Sequence, residues 1–244
     1  DMVSKDNIKI HIATPVKNSI DTAMKTIESV MSSTVDIGYD FTVYNDFSDE
    51  DTTSQLKAAS CEYGFNLVNM SDITSHSSPN YLLILQIAQK KAVRENAHLI
   101  IVESDVIVKK DTFQKLFNEV EKLPKAGLIA AITTNERGEV NFPYEYASGF
   151  KSGVIPTKKR LSFCCTLLTN AFLSTYDFNQ LNPKKSWYDV FISHKAVKLG
   201  FCNYLMTSNA VIHKPHSSRP WKKLKYTHPL KYYWQKYTKG LDRI

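Results

Sequence analysis

The chain has 244 residues, 43% of them hydrophobic and 23% charged, with a formal net charge of +7 and a pI near 9.0. That is ordinary for a soluble globular protein and long enough for one large domain or two small ones. No apolar run approaches the roughly 20 residues that span a bilayer, which excludes a spanning helix within this sequence.

Residues 8–13 alternate and are β-branched, predicting a first strand closed by Thr14-Pro15. Ile20, Ala23, Met24, Ile27, Val30 and Met31 then recur at helical spacing, with Ser19 at the N-cap position. A strand over 41–44, a helix over 52–63 stopped by Gly64, a strand over 65–69 and a long helix over 81–97 follow. Residues 99–102 contain no polar side chain, which predicts a central, parallel, doubly covered strand. Asp111 heads a helix carrying Phe113, Leu116, Phe117 and Val120, and 128–133 is a fifth strand. Residues 135–160 break the rhythm with Gly138, Pro143, Gly149, Gly153, Pro156 and the run Lys158-Lys159-Arg160, and read as a long loop or flap. A strand over 161–169, a helix over 189–199 ended by Gly200 and a last strand over 210–213 complete the pattern. Strands alternating with helices predict an α/β fold, a mostly parallel sheet flanked by helices.

In such sheets ligands bind beyond the carboxyl ends of the strands. The residues there are Thr14 to Asn18, Asn45 to Asp51, Glu103-Ser104-Asp105 and His213, a convergence of polar and acidic groups that suits a nucleotide and a metal. No G-x-G-x-x-G follows the first strand and no G-x-x-x-x-G-K-[ST] occurs, which disfavours a dinucleotide dehydrogenase and a P-loop NTPase. With only 8 glycines, phosphate charge is better met by a divalent cation on carboxylates than by a backbone cradle. Asp105 follows a very apolar strand, where a carboxylate is costly unless paired or metal-bound. The four cysteines, Cys61, Cys164, Cys165 and Cys202, form no C-x-x-C pair and read as buried free thiols in a reducing cytoplasm.

The series Thr14-Pro15-Val16-Lys17-Asn18, Asn45 to Thr52, Leu99 to Val106 and Trp187-Tyr188-Asp189-Val190 resembles the family 2 glycosyltransferases of GT-A fold, in order and over nearly the whole chain. The resemblance implies a catalytic domain over 1–213, with a nucleotide-binding half (1–105), an acceptor-side half (106–213), and a basic aromatic tail over 214–244. It implies that Pro15 and Val16 line the base and ribose pocket and that Asp46 accepts from a uracil-like imide. It implies that Glu103 and Asp105 fill the D-x-D positions, Asp105 holding Mn²⁺ or Mg²⁺ and Glu103 reaching a ribose hydroxyl or a metal-bound water. It places His213 in the metal shell, Asp189 as catalytic base, and Gln86 where the family often has Asn. The implied partners are a nucleotide-sugar donor, UDP-linked by expectation, and a glycan or lipid-linked acceptor of the kind used in surface polysaccharide synthesis. The departures are Asn45 for an acid, Phe47 where Gly is common, so that the turn there is expected to differ, and Tyr188 for Glu. Two other readings are an inactive nucleotide-sugar-binding module of the same fold, which Tyr188 would suit, and a sugar nucleotidyltransferase, whose Gly- and Arg-rich loop is missing from Thr14 to Asn18.

The tail mixes Lys222, Lys223, Lys225, Lys231, Lys236 and Lys239 with Trp221, Tyr226, Tyr232, Tyr233, Trp234 and Tyr237. It reads either as a contact with an anionic membrane surface or as a helix packing its aromatic face on the domain. Nucleic acid is not expected, because no recognition module occurs. The expected location is cytoplasmic, peripheral at the inner face of the membrane if the tail docks there.

Overall fold

The computed structural model describes residues 8–214 and 228–238. The strands are β1 (Ile8–Val16), β2 (Gly38–Asn45), β3 (Asn66–Asn69), β4 (His98–Val102), β5 (Val106–Ile107), β6 (Ala126–Thr134), β7 (Val154–Thr157), β8 (Cys165–Leu168) and β9 (Cys202–His213). The helices are α1 (Ile20–Met31), α2 (Glu50–Tyr63), α3 (Tyr81–Arg94), α4 (Thr112–Lys122), α5 (Asn170–Thr175), α6 (Tyr188–Lys198) and α7 (Pro229–Thr238). The strands form one sheet in the order β3-β2-β1-β4-β8-β6-β9-β5, with β7 also paired to β9.

β4 is central, as its composition demands. Its successive side chains point to opposite faces and supply two separate cores. Leu99 and Ile101 pack with α3, α5 and α6, while Ile100 and Val102 pack with α1, α2 and α4. α2 and α6 are followed by Gly64 and Gly200 at φ 80° and 90°, left-handed values that end a helix at no steric cost. Gly127 on β6 serves a different purpose. A Cβ there would lie 2.9 Å from Phe201 Cβ and 3.1 Å from Ala196 Cβ, so the end of α6 can lie against the sheet only over a glycine.

The α/β architecture holds, but its parallel character is uneven. β1 runs parallel to β2 and β4, and β2 to β3. Beyond β4 the sheet is mixed: β8 is antiparallel to both β4 and β6, β6 and β9 are parallel, and β5 and β7 are antiparallel to β9. The cause is the segment 135–160. It carries a 3₁₀ turn at Glu145–Ala147 and the strand β7, and it delivers β8 into the sheet from the opposite end. The expected strand over 161–169 is therefore only β8. The last strand, expected over 210–213, extends back to Cys202. Asp111 and Ser19 occupy N-cap positions without making a side-chain cap bond. Cys61 and Cys202 are exposed, contrary to the expectation of burial, while Cys164 and Cys165 are buried free thiols.

Of the tail, α7 buries Tyr232 and exposes Leu230, Tyr233 and Trp234. Trp221, Lys222, Lys223, Lys225, Tyr226 and Lys239 lie outside the described residues. No helix among the described residues is long and apolar enough to cross a membrane.

Away from the carboxyl ends of the strands, a charged network ties β1, β2 and α3 together. Asp40 accepts from His11 Nδ1 at 3.3 Å, from Asn66 Nδ2 at 2.6 Å and from Lys91, and Glu95 lies 2.8 Å from His11 Nε2. Burial alone would raise the Asp40 pKa, but the hydrogen bonds and charges of His11 and Lys91 outweigh it and hold the carboxyl well below its usual range. A carboxylate depressed in the folded state stabilises the fold above its unfolded value of about 3.9, and that contribution is lost as the pH falls below it. Asp40→Asn should therefore lower the urea midpoint at neutral pH and flatten the acid-side loss of stability below about pH 4. An acid limb of unchanged steepness in the variant would contradict this.

Candidate active site

β1, β2 and β4 end at one edge of the sheet. The register sets Pro15 opposite Tyr44 and Val16 opposite Asn45, and the Asp46 N–H donates to the Val16 carbonyl at 2.8 Å. Val16 is wholly buried and its carbonyl is taken by that bond, whereas Pro15 beside it is partly exposed. Asp46 does not cap α2; Asp49 does, accepting from Thr52 N at 2.8 Å. Asp46 instead accepts from Ser78 Oγ at 2.7 Å, Asn80 N at 2.9 Å and Asn80 Nδ2 at 2.7 Å, pinning the segment that leads into α3. A carboxylate offers about four acceptor sites, so one remains beyond these three bonds.

The two loops at this edge interlock. Asn18 N donates to Ser48 Oγ at 2.8 Å, and Asp49 N donates to Asn18 Oδ1 at 2.9 Å. Asn18, Ser19 and Phe47 all have φ near 55°. The turn at Phe47 thus keeps the left-handed conformation a glycine would take, where a different turn was expected. An L-residue there costs roughly 1–2 kcal/mol, which the surrounding bonds must offset. A shallow cleft of about 310 Å³ continues from here, lined among others by Asn80, Tyr81, Gln86, Lys185 and Tyr188. Gln86 Nε2 donates to the Phe178 carbonyl at 3.3 Å.

At the end of β4 the chain turns sharply, Val106 N donating to the Glu103 carbonyl at 3.2 Å. The two-residue β5 then zips onto the end of β9. Val106 pairs with His213, and Lys214 N donates to the Asp105 carbonyl at 2.9 Å. This short ladder sets His213 Nε2 3.5 Å from Asp105 Oδ2, with both residues buried. On its other side the His213 ring donates from Nδ1 to the Phe142 carbonyl at 2.7 Å. That bond directs Nε2 toward the carboxylates, the orientation a metal ligand requires.

The charges here are crowded. Burial, and then the Asp105 charge, push the Glu103 carboxyl up to about 7. Burial opposes protonation of His213, but the hydrogen bond and charge of Asp105 outweigh it and raise the ring pKa. Both shifts favour protonation, which offsets part of the negative charge of the two carboxylates. The donor set of two carboxylates and an oriented imidazole suits a divalent cation, so the residues fit the expected metal.

Cys164 joins the same cluster. Its Sγ donates to Glu103 Oε2 at 3.4 Å and lies 3.9 Å from His213 Nε2, and one donor atom from each of Glu103, Cys164 and His213 falls within 4.8 Å of the others. The sequence reading missed it. Cys164 reaches the site because Cys165 pairs with Val102 across the antiparallel β4–β8 ladder, and no local pattern announces that pairing.

Asp189 lies in the first turn of α6, where the helix dipole favours a carboxylate. Its Oδ2 is 3.7 Å from Arg160 Nη1, and Arg160 stacks over Trp187 at 5.4 Å. Its charge is felt at Glu103, which sets it on the same side of the fold as the metal-ligand candidates. The basic run at the end of the flap thus supplies Asp189 with a partner, a second contact the sequence did not disclose.

No protein-family model matches the chain, and no curated protein matches it. Solved structures do. Staphylococcus aureus TarS residues 1–349 in complex with UDP-GlcNAc aligns at a TM-score of 0.63 and 17% identity over 87% of this chain and 60% of that one. GalNAc-T7 with UDP, GalNAc and Mn²⁺ aligns at 0.62 and 12% over 86% of this chain and 44% of that one. The mannosyltransferase PcManGT from Pyrobaculum calidifontis, with GDP-Man and Mn²⁺, aligns at 0.64 and 10% over 93% of this chain and 63% of that one. This chain therefore spans less than two thirds of the length of these structures. The shared architecture is the GT-A glycosyltransferase fold.

Proposed function

We propose that this protein transfers a sugar from a nucleoside diphosphate sugar, UDP-linked, to a hydroxyl acceptor with inversion, in the manner of the family 2 enzymes. The observation that carries the reading is the meeting of Glu103, Asp105 and His213 at the carboxyl end of the buried strand β4, with Asp189 on the same side. In this reading Pro15, Val16 and Asp46 receive the base and ribose, Gln86 borders the donor cleft, and Glu103 takes a ribose hydroxyl. Asp105 and His213 would hold Mn²⁺ or Mg²⁺, which when bound would supply positive charge for the departing diphosphate. Asp189 takes the acceptor hydroxyl proton as the new C–O bond forms and the bond to the diphosphate breaks, the leaving oxygen keeping the electron pair. Arg160 holds the Asp189 carboxylate in place, and α6 presents it by its first turn. The acceptor is a glycan or lipid-linked oligosaccharide.

A peripheral membrane location also has support. Leu230, Tyr233 and Trp234 fall on one face of α7 and are 89%, 48% and 64% exposed. The adjoining sequence is rich in lysine, and aromatic residues beside basic ones favour an anionic interface.

Two experiments follow. Asp189→Asn should leave binding of donor and metal intact and lower turnover by about 10² or more, in line with general-base contributions of roughly 10²–10⁴. Near-parental turnover would remove Asp189 from the chemistry, and a product retaining the donor's anomeric configuration would end the single-displacement scheme. In co-sedimentation, the protein should pellet with anionic vesicles and not neutral ones, and less so as salt rises. Equal pelleting with both, or with neither, would point to α7 packing alone.

A further inference from the structure

We propose that Glu103, Cys164 and His213 form a three-ligand site for a thiophilic divalent cation of the zinc class, filled in the absence of nucleotide. Cys164 Sγ to Glu103 Oε2 is 3.4 Å and Cys164 Sγ to His213 Nε2 is 3.9 Å, and one donor atom from each of the three lies within 4.8 Å of the others. Asp105, whose Oδ2 is 3.5 Å from His213 Nε2, stands beside this group and not in it.

With metal bonds of about 2.3 Å to sulfur and about 2.0–2.1 Å to nitrogen and oxygen, the edges of a tetrahedral shell are about 3.4 Å for N···O and about 3.6 Å for S···N and S···O. Both sulfur edges lie within about 0.3 Å of the tetrahedral value. The donor chemistry agrees. A sulfur adjoining an imidazole is the pairing that zinc-class ions select, and Mg²⁺ does not.

The shell is also built rather than incidental. Cys164 and His213 are buried. The Phe142 carbonyl fixes the His213 ring through Nδ1, as outer-sphere partners of zinc-bound histidines do. Backbone pairing holds the rest: Glu103 N donates to the Cys164 carbonyl at 3.0 Å. On binding, the Cys164 S–H bond breaks, the sulfur–metal bond forms, and the proton leaves to solvent. Three protein ligands leave the fourth tetrahedral position to water. Occupancy of the site takes His213 from the Mn²⁺ or Mg²⁺ role and leaves Asp105 to it; that consequence, unlike the site itself, rests on the sugar-transfer reading.

Cobalt(II) without nucleotide is the probe. Titrated into the metal-free protein, it should give the thiolate-to-cobalt charge-transfer band and the intense visible bands of a tetrahedral ion. Zn²⁺ should bleach them at one equivalent. Cys164→Ser should lose the charge-transfer band, and its Zn²⁺ affinity should fall by at least about tenfold, the least expected when even an outer-sphere partner is removed. The double variant Cys61→Ser/Cys202→Ser, which removes the exposed thiols, should keep the band. Its absence from the parent protein, its persistence in Cys164→Ser, or its loss in the double variant would overturn the proposal. Because no nucleotide is present, failure here leaves the sugar-transfer reading standing, and failure of UDP to bind leaves this site standing.

Discussion

Two carboxylates at the end of a strand with almost no solvent exposure are the constraint around which this molecule is arranged. Glu103 and Asp105 follow Leu99 to Val102, which are at most 1% exposed. Like charges brought together out of water are tolerated only if a proton or a cation neutralises part of the charge. The crowding shows in a Glu103 carboxyl pushed up to about 7 by burial and the Asp105 charge, and in a His213 ring raised by Asp105. The β5–β9 ladder, too short to stabilise much by itself, brings the imidazole to Asp105, and the flap contributes the carbonyl that turns the ring. The site is thus a place of stored electrostatic demand, and a divalent cation is the species that best answers it.

The sheet divides its labour accordingly. The parallel run β3-β2-β1-β4 supplies a smooth edge of strand ends, where Asp46 and the interlocked loops meet. Beyond β4, β8 runs the other way and brings Cys164 in just before its start, β9 runs parallel to β4 and ends on His213, and the first turn of α6 carries Asp189. Three of the four non-glycine left-handed residues among the described ones, Asn18, Ser19 and Phe47, lie at the working edge; the fourth, Asn96, precedes β4. Elsewhere, the His11–Asp40–Lys91–Glu95 network fixes strand to helix by paired charge.

What the sequence disclosed follows from which signals are local. The carboxylate after an unbroken apolar strand singles out Asp105 without help, and the helices are written in their 3.6-residue spacing. Strands β5 and β7 are two and four residues long and carry no period to read. β8 pairs antiparallel with β4 across more than 60 positions, and that one non-local event carries Cys164 into the cluster. Phe47 illustrates the opposite limit. Its identity argues against a left-handed turn, and only the bonds around it explain why the turn persists. Asp46 was legible as important but not in its role toward Ser78 and Asn80, because its partners lie more than 30 residues away.

The central claim is that the carboxylate pair at the end of β4 exists to hold a cation against a nucleoside diphosphate. Isothermal calorimetry of UDP with and without Mn²⁺, on the parent protein and on Asp105→Ala, tests it most directly. The account predicts UDP binding that depends on Mn²⁺ in the parent and is lost in the variant, with the fold retained by circular dichroism. UDP binding of parental strength in Asp105→Ala, or binding in the parent that is indifferent to Mn²⁺, would contradict it.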